Sequence, residues 1–211
     1  MKPVIIIGAG GHTKVLIDTL QGYGRKIEGI TDIDAKKRSN SFSGIPIIGE
    51  DNVILDYNPE SVSLINGLGM VGRTSRRREI YDYFKGCGYQ FDQVIHPSAI
   101  LSPKTELSEG VQIMAGAIIQ PGSRIGHNSI INTGAIIDHD AAIGSHVHVA
   151  PGVTISGGVS IGDGSLIGTG ATVIQGVKIS ANCIIAAGSV VIRDVAEGTT
   201  IMGIPARVVN R

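Results

Sequence analysis

Residues 111–140 read VQIMAG AIIQPG SRIGHN SIINTG AIIDHD, five hexads whose third residue is always isoleucine. The same register covers residues 99–194, where sixteen consecutive hexads have an aliphatic third residue. With half of all residues apolar, chance would give such a run about once in 10⁵ trials. A period of six is too short for helical repeats and is typical of a parallel β-helix, in which three hexads form one coil. The hexads therefore predict a prism of about five coils, with each third residue facing inward.

The composition of the 211-residue chain agrees with such a prism. It contains 30 Gly, five Tyr, three Phe and no Trp, yet 42% of its residues are hydrophobic. A stack of inward Ile and Val fills a prism without aromatic side chains. Tight corners favour residues that adopt a positive φ, and Gly or Asn closes many hexads: Gly110, Gly116, Gly122, Asn128 and Gly134. Collagen is excluded because no strict three-residue period occurs, and disorder is excluded by the abundant Ile and Val.

The charge balance argues against a nucleic-acid partner. Eighteen Lys and Arg balance eighteen Asp and Glu, so the net charge is zero and offers no general attraction to polyanions or anionic membranes. One basic run comprises Arg73, Arg76, Arg77 and Arg78. Because no aromatic residues are interleaved with it, we expect a solvated helix face there.

Compartment and metal content follow from what the chain lacks. The opening apolar run, Val4–Ile7, is too short for a signal peptide, and no other run approaches the eighteen residues of a membrane span. The two cysteines, Cys87 and Cys183, show no metal or redox spacing. We therefore expect a cytoplasmic protein with reduced thiols, without membrane insertion and without a bound metal.

Residues 1–95 have mixed polarity and most of the aromatic residues, and they form a separate domain from residues 96–211. The patterns predict strands at Val4–Ile7, Ile27–Thr31 and 62–65, and helices at 13–21 and about 74–85. Val15, Leu16 and Leu20 are expected on the inner face of the first helix. Residues 45–48 are at best a short edge segment, because Pro46 cannot donate to a ladder. Alternating strands and helices predict an α/β domain with a parallel sheet in Rossmann-like order.

The turn after the first strand predicts a nucleotide site. Its sequence GAGGH (8–12) supplies two glycines of the dinucleotide fingerprint, but Thr13 replaces the third. Asp32 follows the second strand, about where a ribose or base contact would lie. The domain is about half the size that NAD requires, so a mononucleotide with its diphosphate on the amides of residues 10–13 fits better. The alternative is a glycine turn that only packs the helix on the strand.

The chemistry is expected among the histidines of the hexad region. His139 lies between Asp138 and Asp140, and a carboxylate beside a histidine fixes its tautomer and stabilises the imidazolium, as a general base requires. His148 is nine residues further on, half of an eighteen-residue coil, so the two histidines do not stack. They could meet only across a groove between neighbouring prisms, which predicts an oligomer. The alternative is that exposed corners accept any polar residue.

Several segments together resemble one family over nearly the whole chain. They are GAGGH (8–12), IHPSAILSP (95–103), NTGAIIDHD (132–140), SHVHVAPG (145–152) and GIPARVV (203–209), in addition to the hexads. In order and spacing they resemble the bacterial nucleotide-sugar acetyltransferases and their sialic acid O-acetyltransferase relatives, the PglD/NeuD type. The resemblance implies a left-handed β-helix in a homotrimer, with acetyl-CoA in the groove between adjacent prisms. It also implies that the first domain holds the nucleotide of a UDP-linked amino sugar.

The resemblance further implies an activity and its residues. The activity is N-acetylation of the 4-amino group of a UDP-linked amino-deoxy sugar in bacterial glycan biosynthesis, with His139 as general base beside Asp140. The acceptor-binding residues it implies are Asn132, Gly10, Gly11, His12 and Asp32. Those it implies for acetyl-CoA are His148, Gly157, Thr169 and Ala187, of which Ala187 departs from a glycine in at least one relative. A backbone amide or His148 is expected to stabilise the oxyanion.

Three alternatives remain open at this point. A sialic acid O-acetyltransferase would use the same fold and base. A zinc hydratase on the same prism holds its metal with histidines from two subunits, and His139, His146 and His148 could supply such ligands. A non-catalytic trimeric scaffold would only sense a nucleotide sugar.

Overall fold

The computed structural model describes residues 2–34, 41–70, 72 and 76–209. They divide into two compact units. The first holds the described residues up to Gly69 and then those from position 76 to Pro97, and the second holds Met70, Gly72 and the residues from Ser98 onward. The short segment around Met70 thus groups with the hexad region, which the predicted boundary between 95 and 96 does not anticipate.

The first unit is built on a five-stranded sheet. Its strands are β1 (Val4–Ile7), β2 (Ile27–Thr31), β3 (Ser41–Phe42), β4 (Ile45–Gly49) and β5 (Ser63–Asn66), in the order β3-β4-β2-β1-β5. All neighbours are parallel except β3 and β4. Its other elements are α1 (Gly11–Gly22), a 3₁₀ helix (Asp51–Asp56), α2 (Arg76–Gly86) and β6 (Val94–Ile95). The predicted parallel sheet of alternating strands and helices is confirmed.

Two expectations for this sheet are wrong. Val15 is 40% exposed, because the inward stripe of α1 follows the helical spacing through Thr13, Leu16, Ile17 and Leu20 instead. The segment after Pro46 is not at the edge, since β3 pairs with the outer side of β4. The residues of β4 that pair with β2 are Ile47 and Gly49, so Pro46 is not among the residues that form the ladder with β2.

The basic run is expected to form a solvated helix face, and this expectation is wrong at Arg77. Arg73 and the expected helix start at position 74 lie outside the described residues. Arg77 is 4% exposed, because it shares the inner face of α2 with Ile80, Tyr81 and Phe84. Its Nη1 donates to the carbonyl oxygens of Asn66 and Leu68, at and just after the end of β5. Burial lowers the pKa of Arg77 to about 9. Arg76 and Arg78 are exposed, as expected of a solvated face.

The second unit is a prism with three faces of short parallel strands. The first face holds β7 (Ile100–Leu101), β10 (Ile118–Ile119), β13 (Ile136–Ile137), β16 (Thr154–Ile155), β19 (Thr172–Val173) and β22 (Val190–Val191). The second holds β8 (Glu106–Leu107), β11 (Arg124–Ile125), β14 (Ala142–Ile143), β17 (Ser160–Ile161) and β20 (Lys178–Ile179). The third holds β9 (Gln112–Ile113), β12 (Ile130–Ile131), β15 (His148–Val149), β18 (Leu166–Ile167), β21 (Ile184–Ile185), β23 (Thr200–Gly203) and the antiparallel β24 (Ala206–Val208). Paired strands from β7 to β22 are eighteen residues apart, as at Ile118 and Ile136, so the predicted β-helix is confirmed.

The hexad positions take the places that the sequence predicts. The third residues from Ile113 to Val191 are all at most 3% exposed, and only Leu101 and Leu107 in the first coil are half-buried. From Gly110 to Gly188, the last residue of every hexad turns the corner in the left-handed region, whereas Lys104 and Asp194, which close the first and last hexads, do not. Five of these corner residues are Gly110 (φ 70°), Gly116 (φ 67°), Gly122 (φ 78°), Asn128 (φ 55°) and Gly134 (φ 65°). We call the corner between the first and second faces the first corner, and the next two the second and third corners.

Candidate active site

The first corner carries His139 between two carboxylates, in the turn that follows β13. Asp140 takes the left-handed corner position with φ 58°, where the coils before and after have Gly122 and Gly158. His139 Nδ1 donates to Asp140 Oδ2 at 2.8 Å. The backbone N–H of His139 donates to Asp138 Oδ1, also at 2.8 Å. The two carboxylates therefore hold the residue at its main chain and at its ring.

These contacts set the chemistry of the imidazole. The hydrogen bond to Asp140 and the charge of Asp138 raise the pKa of His139 above its ordinary value, against a smaller opposing effect of burial. With Nδ1–H directed at the carboxylate, the lone pair of the neutral ring is on Nε2. Nε2 makes no hydrogen bond to the described residues, and the side chain is 54% exposed. The ring can therefore accept a proton at Nε2 while Asp140 stabilises the resulting charge.

Gly157 lies one coil beyond His139 in the same corner. A methyl group built on Gly157 would lie 2.5 Å from His139 Nε2. The imidazole thus covers the Cα of this glycine. Of the residues expected to bind acetyl-CoA, Gly157 is the one that the prism brings beside the histidine.

A second polar pair lies around the third face. Asn132, just after β12, donates from Nδ2 to His148 Nε2 at 3.1 Å, and its Oδ1 accepts from the Thr133 N–H at 2.8 Å, which defines the amide orientation. His148 Nδ1 in turn donates to Met70 O at 3.2 Å. His148 is thereby held as the Nδ1–H tautomer, with its ring N–H directed at a backbone carbonyl. This orientation does not favour His148 as the oxyanion donor.

The remaining acetyl-CoA candidates, Thr169 and Ala187, stack on each other in the third corner, eighteen residues apart. The carbonyl of Thr169 accepts from the Gly188 N–H at 2.9 Å. The candidates of the prism therefore form two groups within one chain. His139, Asp140 and Gly157 share the first corner, while the others lie on the third face and third corner.

The glycine turn of the first unit ends in α1. Gly10 is the residue before the helix, and Gly11 and His12 are its first two residues. No side chain caps the start of the helix, and a helix N-terminus of this kind is able to bind an anion. Asp32 is 6% exposed, and its carboxylate accepts from the Ala9 N–H at 2.7 Å and the Asp34 N–H at 2.8 Å. The aspartate thus links the end of β2 to the turn.

A cavity of about 340 Å³ opens beside this turn. Its lining includes Gly8, Gly10, Asp32, Asp51 and Arg76, and Arg76 Nη2 lies 3.3 Å from Asp51 Oδ2. Sequence reasoning did not single out Asp51 or Arg76 for this site, because neither belongs to a local motif. Only the fold places them beside the glycine turn.

Thr13 has a structural role at the position of the third fingerprint glycine. Its hydroxyl donates to the carbonyl oxygens of Gly8 and Gly67. A methyl group on Gly67 would overlap that hydroxyl. Thr13 therefore joins the turn after β1 to the chain after β5, which a glycine could not do.

The zinc alternative takes its ligands from two subunits, so one chain would hold only part of the set. Within residues 2–34, 41–70, 72 and 76–209, no group of three or more His, Cys, Asp or Glu side chains could hold a metal ion. His139, His146 and His148 lie at the first corner, the second corner and the third face.

Among the helices of the described residues, none combines the length and apolar character needed to cross a membrane.

Comparisons with known proteins agree with this division. The model for the PglD N-terminal domain matches residues 3–84. The model for the bacterial transferase hexapeptide matches residues 104–139 and 158–193. A search of curated proteins finds no match.

Solved structures match the chain over its length. A GDP-perosamine N-acetyltransferase from Caulobacter crescentus, a histidine-to-alanine mutant in complex with CoA and GDP-perosamine, is 36% identical, covering 100% of this chain and 98% of that one with a TM-score of 0.92. The chain belongs to the PglD/NeuD family of sugar acetyltransferases. The acetyltransferase domain of PglB from Neisseria gonorrhoeae, in complex with acetyl coenzyme A, is 32% identical, with 99% of each chain covered and a TM-score of 0.91. WeeI from Acinetobacter baumannii shares the fold at 22% identity, with 99% and 100% covered and a TM-score of 0.87.

As a member of the PglD/NeuD family, the protein is an acetyltransferase. The two units have their counterparts in the family, a PglD domain followed by a β-helix of hexapeptide repeats.

Proposed function

We propose that this acetyltransferase transfers the acetyl group of acetyl-CoA to the 4-amino group of a nucleotide-linked amino-deoxy sugar in bacterial glycan biosynthesis, with His139 as general base. The observation that carries the proposal is the pair at the first corner. His139 is bonded through Nδ1 to Asp140 and presents Nε2 beside Gly157. A general base needs this combination of an accessible lone pair and a neighbouring negative charge.

The reaction is a direct transfer without a covalent enzyme intermediate. The sugar amine attacks the thioester carbonyl, so that a C–N bond forms and the C–S bond breaks. His139 Nε2 takes a proton from the amine and passes it to the departing CoA sulfur, which leaves as the thiol. Asp140 stabilises the imidazolium formed between these two steps.

The oxyanion of this reaction needs a donor near His139. We assign it to the backbone N–H of Gly157, which donates to none of the described residues. Backbone amides that are already oriented stabilise developing charge without reorganisation. His148 orients Asn132 instead, through the hydrogen bond between Nδ2 and Nε2.

The nucleotide is proposed to lie in the cavity of the first unit. Its diphosphate would rest on the amides of Gly10, Gly11 and His12 at the start of α1, where the helix dipole favours an anion. Asp32 would accept from the ribose or base. The resemblance implies a uridine nucleotide, whereas the Caulobacter relative was solved with a guanosine one. The nucleobase of the acceptor nucleotide sugar is therefore varied in the assay below.

The placement of the two groups of candidates supports the homotrimer that the family resemblance implies. One chain holds His139 and Gly157 at its first corner and Thr169 and Ala187 at its third. A groove between adjacent prisms would pair the first corner of one copy with the third corner of the next, and acetyl-CoA would lie in that groove. The protein is proposed to act in the cytoplasm, where acetyl-CoA and nucleotide sugars are made.

A thiol-release assay tests the function. Acetyl-CoA is offered with UDP-, GDP- and dTDP-linked 4-amino-6-deoxy sugars, and with CMP-sialic acid and free sialic acid. Release of CoA with a 4-amino sugar, and an acetamide in the product by mass spectrometry and NMR, is expected. Release only with a sialic acid would establish O-acetylation instead, and release with no sugar would contradict the proposal.

A further inference from the structure

The corner position of Asp140 repeats through the prism. Gly122 precedes it by one coil, and Gly158 and Gly176 follow by one and two coils. Their φ angles are 78°, 66° and 72°, and Asp140 shares the conformation at 58°. The chain thus places a carboxylate where the neighbouring coils have glycine, at a backbone conformation that side chains rarely adopt.

Two glycines lie directly against the side chains of His139 and Asp140, the pair that we call the dyad. A methyl group on Gly122 would overlap Asp140 Oδ1, and one on Gly157 would lie 2.5 Å from Nε2 and 2.6 Å from Cε1 of His139. Methyl groups on Gly158 and Gly176 would meet no heavy atom within 4 Å. The crowding is therefore a property of the two glycines beside the dyad and not of the corner as such.

We propose that Gly122 and Gly157 are positioning residues, whose missing side chains leave the space in which Asp140 and His139 lie against the prism and meet each other. The coil before the dyad provides room for the carboxylate, and the coil after it provides room for the imidazole. The consequence for catalysis rests on the proposed function, since it takes His139 as the base.

The two positions differ in a way that helps the test. Gly157 does not have a positive φ, so alanine adds no backbone strain there and keeps the peptide N–H. The atoms it meets belong to a half-exposed ring that can rotate away, so the cost should appear in the position of the ring. Gly122 has a positive φ, so alanine there adds strain as well as the collision with Asp140. Gly176→Ala is its matched control, with similar φ and no collision.

Displacement of either side chain weakens the bond between His139 Nδ1 and Asp140. That bond is the largest cause of the raised pKa of His139, and Asp138 is the next. The residues stacked on the dyad in the adjacent coils are Pro121, Gly122, Gly157 and Gly158, which do not titrate, and Lys104 lies two coils before Asp140. The pKa of His139 should therefore fall toward its ordinary value in both variants, and no other stacked group would mask the change.

The experiment compares Gly157→Ala, Gly122→Ala and Gly176→Ala with the parent, all as the full chain. The His139 imidazole is titrated by NMR without ligand, with the His139→Asn spectrum as assignment. A lower His139 pKa is expected in Gly157→Ala and Gly122→Ala, and an unchanged one in Gly176→Ala. In the acetyl-transfer assay kcat/KM should fall by up to about 10²-fold in the first two, the scale of a small misplacement of reacting groups. The melting temperature of Gly157→Ala should stay near that of the parent.

The outcomes separate this inference from the proposed function. A parent-like His139 titration in both Gly157→Ala and Gly122→Ala would overturn the inference, even if acetyl transfer occurs. An equal change in Gly176→Ala would overturn it too, because strain at the corner would then be the cause. If the titration shifts as expected but no sugar is acetylated, the positioning role stands and the proposed function fails.

Discussion

The first corner and the third face of the prism each hold a histidine as the same tautomer, with different surroundings. His139 directs Nδ1–H to the carboxylate of Asp140, and its Nε2 receives no hydrogen bond from the described residues. His148 directs Nδ1–H to the carbonyl of Met70, and its Nε2 accepts from Asn132. A carboxylate stabilises the imidazolium, whereas a carbonyl and an amide N–H hold a neutral ring in place. The difference teaches that the His139 ring is arranged to gain a proton, whereas the His148 ring is held in one orientation.

The strongest test of this comparison removes the proposed base. His139→Ala should lower kcat by roughly 10²–10⁴-fold with little change in KM, the usual contribution of a general base. Steady-state thiol release on the active sugar measures it. His127→Ala, an exposed histidine of the second corner, is the matched control and should retain parent activity. Near-parent turnover of His139→Ala would remove the base assignment.

The next effect concerns the partner of the base. Asp140→Asn removes the charge that raises the pKa of His139. The base is active when deprotonated, so a lower pKa moves the acid limb of kcat/KM to lower pH. The plateau should fall by about 10-fold to 100-fold, since hydrogen bonds to charged groups are the stronger ones. The pH profile from about pH 5 to 9 measures both, and an acid limb that stays in place would contradict the role of Asp140.

A smaller effect is expected at the other histidine. Asn132→Ala removes the donor to His148 Nε2, a neutral hydrogen bond whose loss changes kcat/KM by about 2- to 12-fold. The acid limb should not move, because His139 is unchanged. A loss as large as that of His139→Ala, together with a shifted acid limb, would assign the base to the third face instead.

The smallest effect is expected for the carboxylate before the base. Asp138→Asn keeps an oxygen for the His139 N–H but loses the charge, which is the second cause of the raised pKa. The acid limb should move slightly to lower pH, with the plateau within about 2-fold of the parent. Asp163→Asn is the matched control, because Asp163 Oδ1 likewise accepts a backbone N–H, that of Ser145, at 2.8 Å. An equal shift in both variants would mean that net charge alone is responsible.

The prism could be predicted almost completely from the sequence. Its contacts repeat every eighteen residues, so the environment of Ile137 is that of Ile119 and Ile155, and local pattern and tertiary position coincide. The corner residues follow for the same reason, since every hexad from the one ending at Gly110 to the one ending at Gly188 closes with a positive φ. His139 and Asp140 could be proposed from the sequence because a histidine flanked by carboxylates is a local pattern.

The first unit was harder to predict because its contacts join distant segments. Arg77 lies in a basic run, yet its guanidinium bonds carbonyls at and beyond the end of β5. Val15 fits an apolar stripe by composition, but the buried face of α1 is the neighbouring one. Asp51 and Arg76 reach the cavity beside the glycine turn only through the folding of separate elements.

The sequence by itself determined the period, the inward stack, the corners and the dyad, because these depend on residues near in the chain or related by a constant offset. The tertiary structure decided how the side chains at these positions meet. It placed Asn132 on His148, left Gly157 bare beneath the imidazole and Gly122 beneath the carboxylate, and buried Arg77 at the end of a strand. Such contacts depend on where side chains point after the coils have stacked, and burial and close approach exist only in the folded chain.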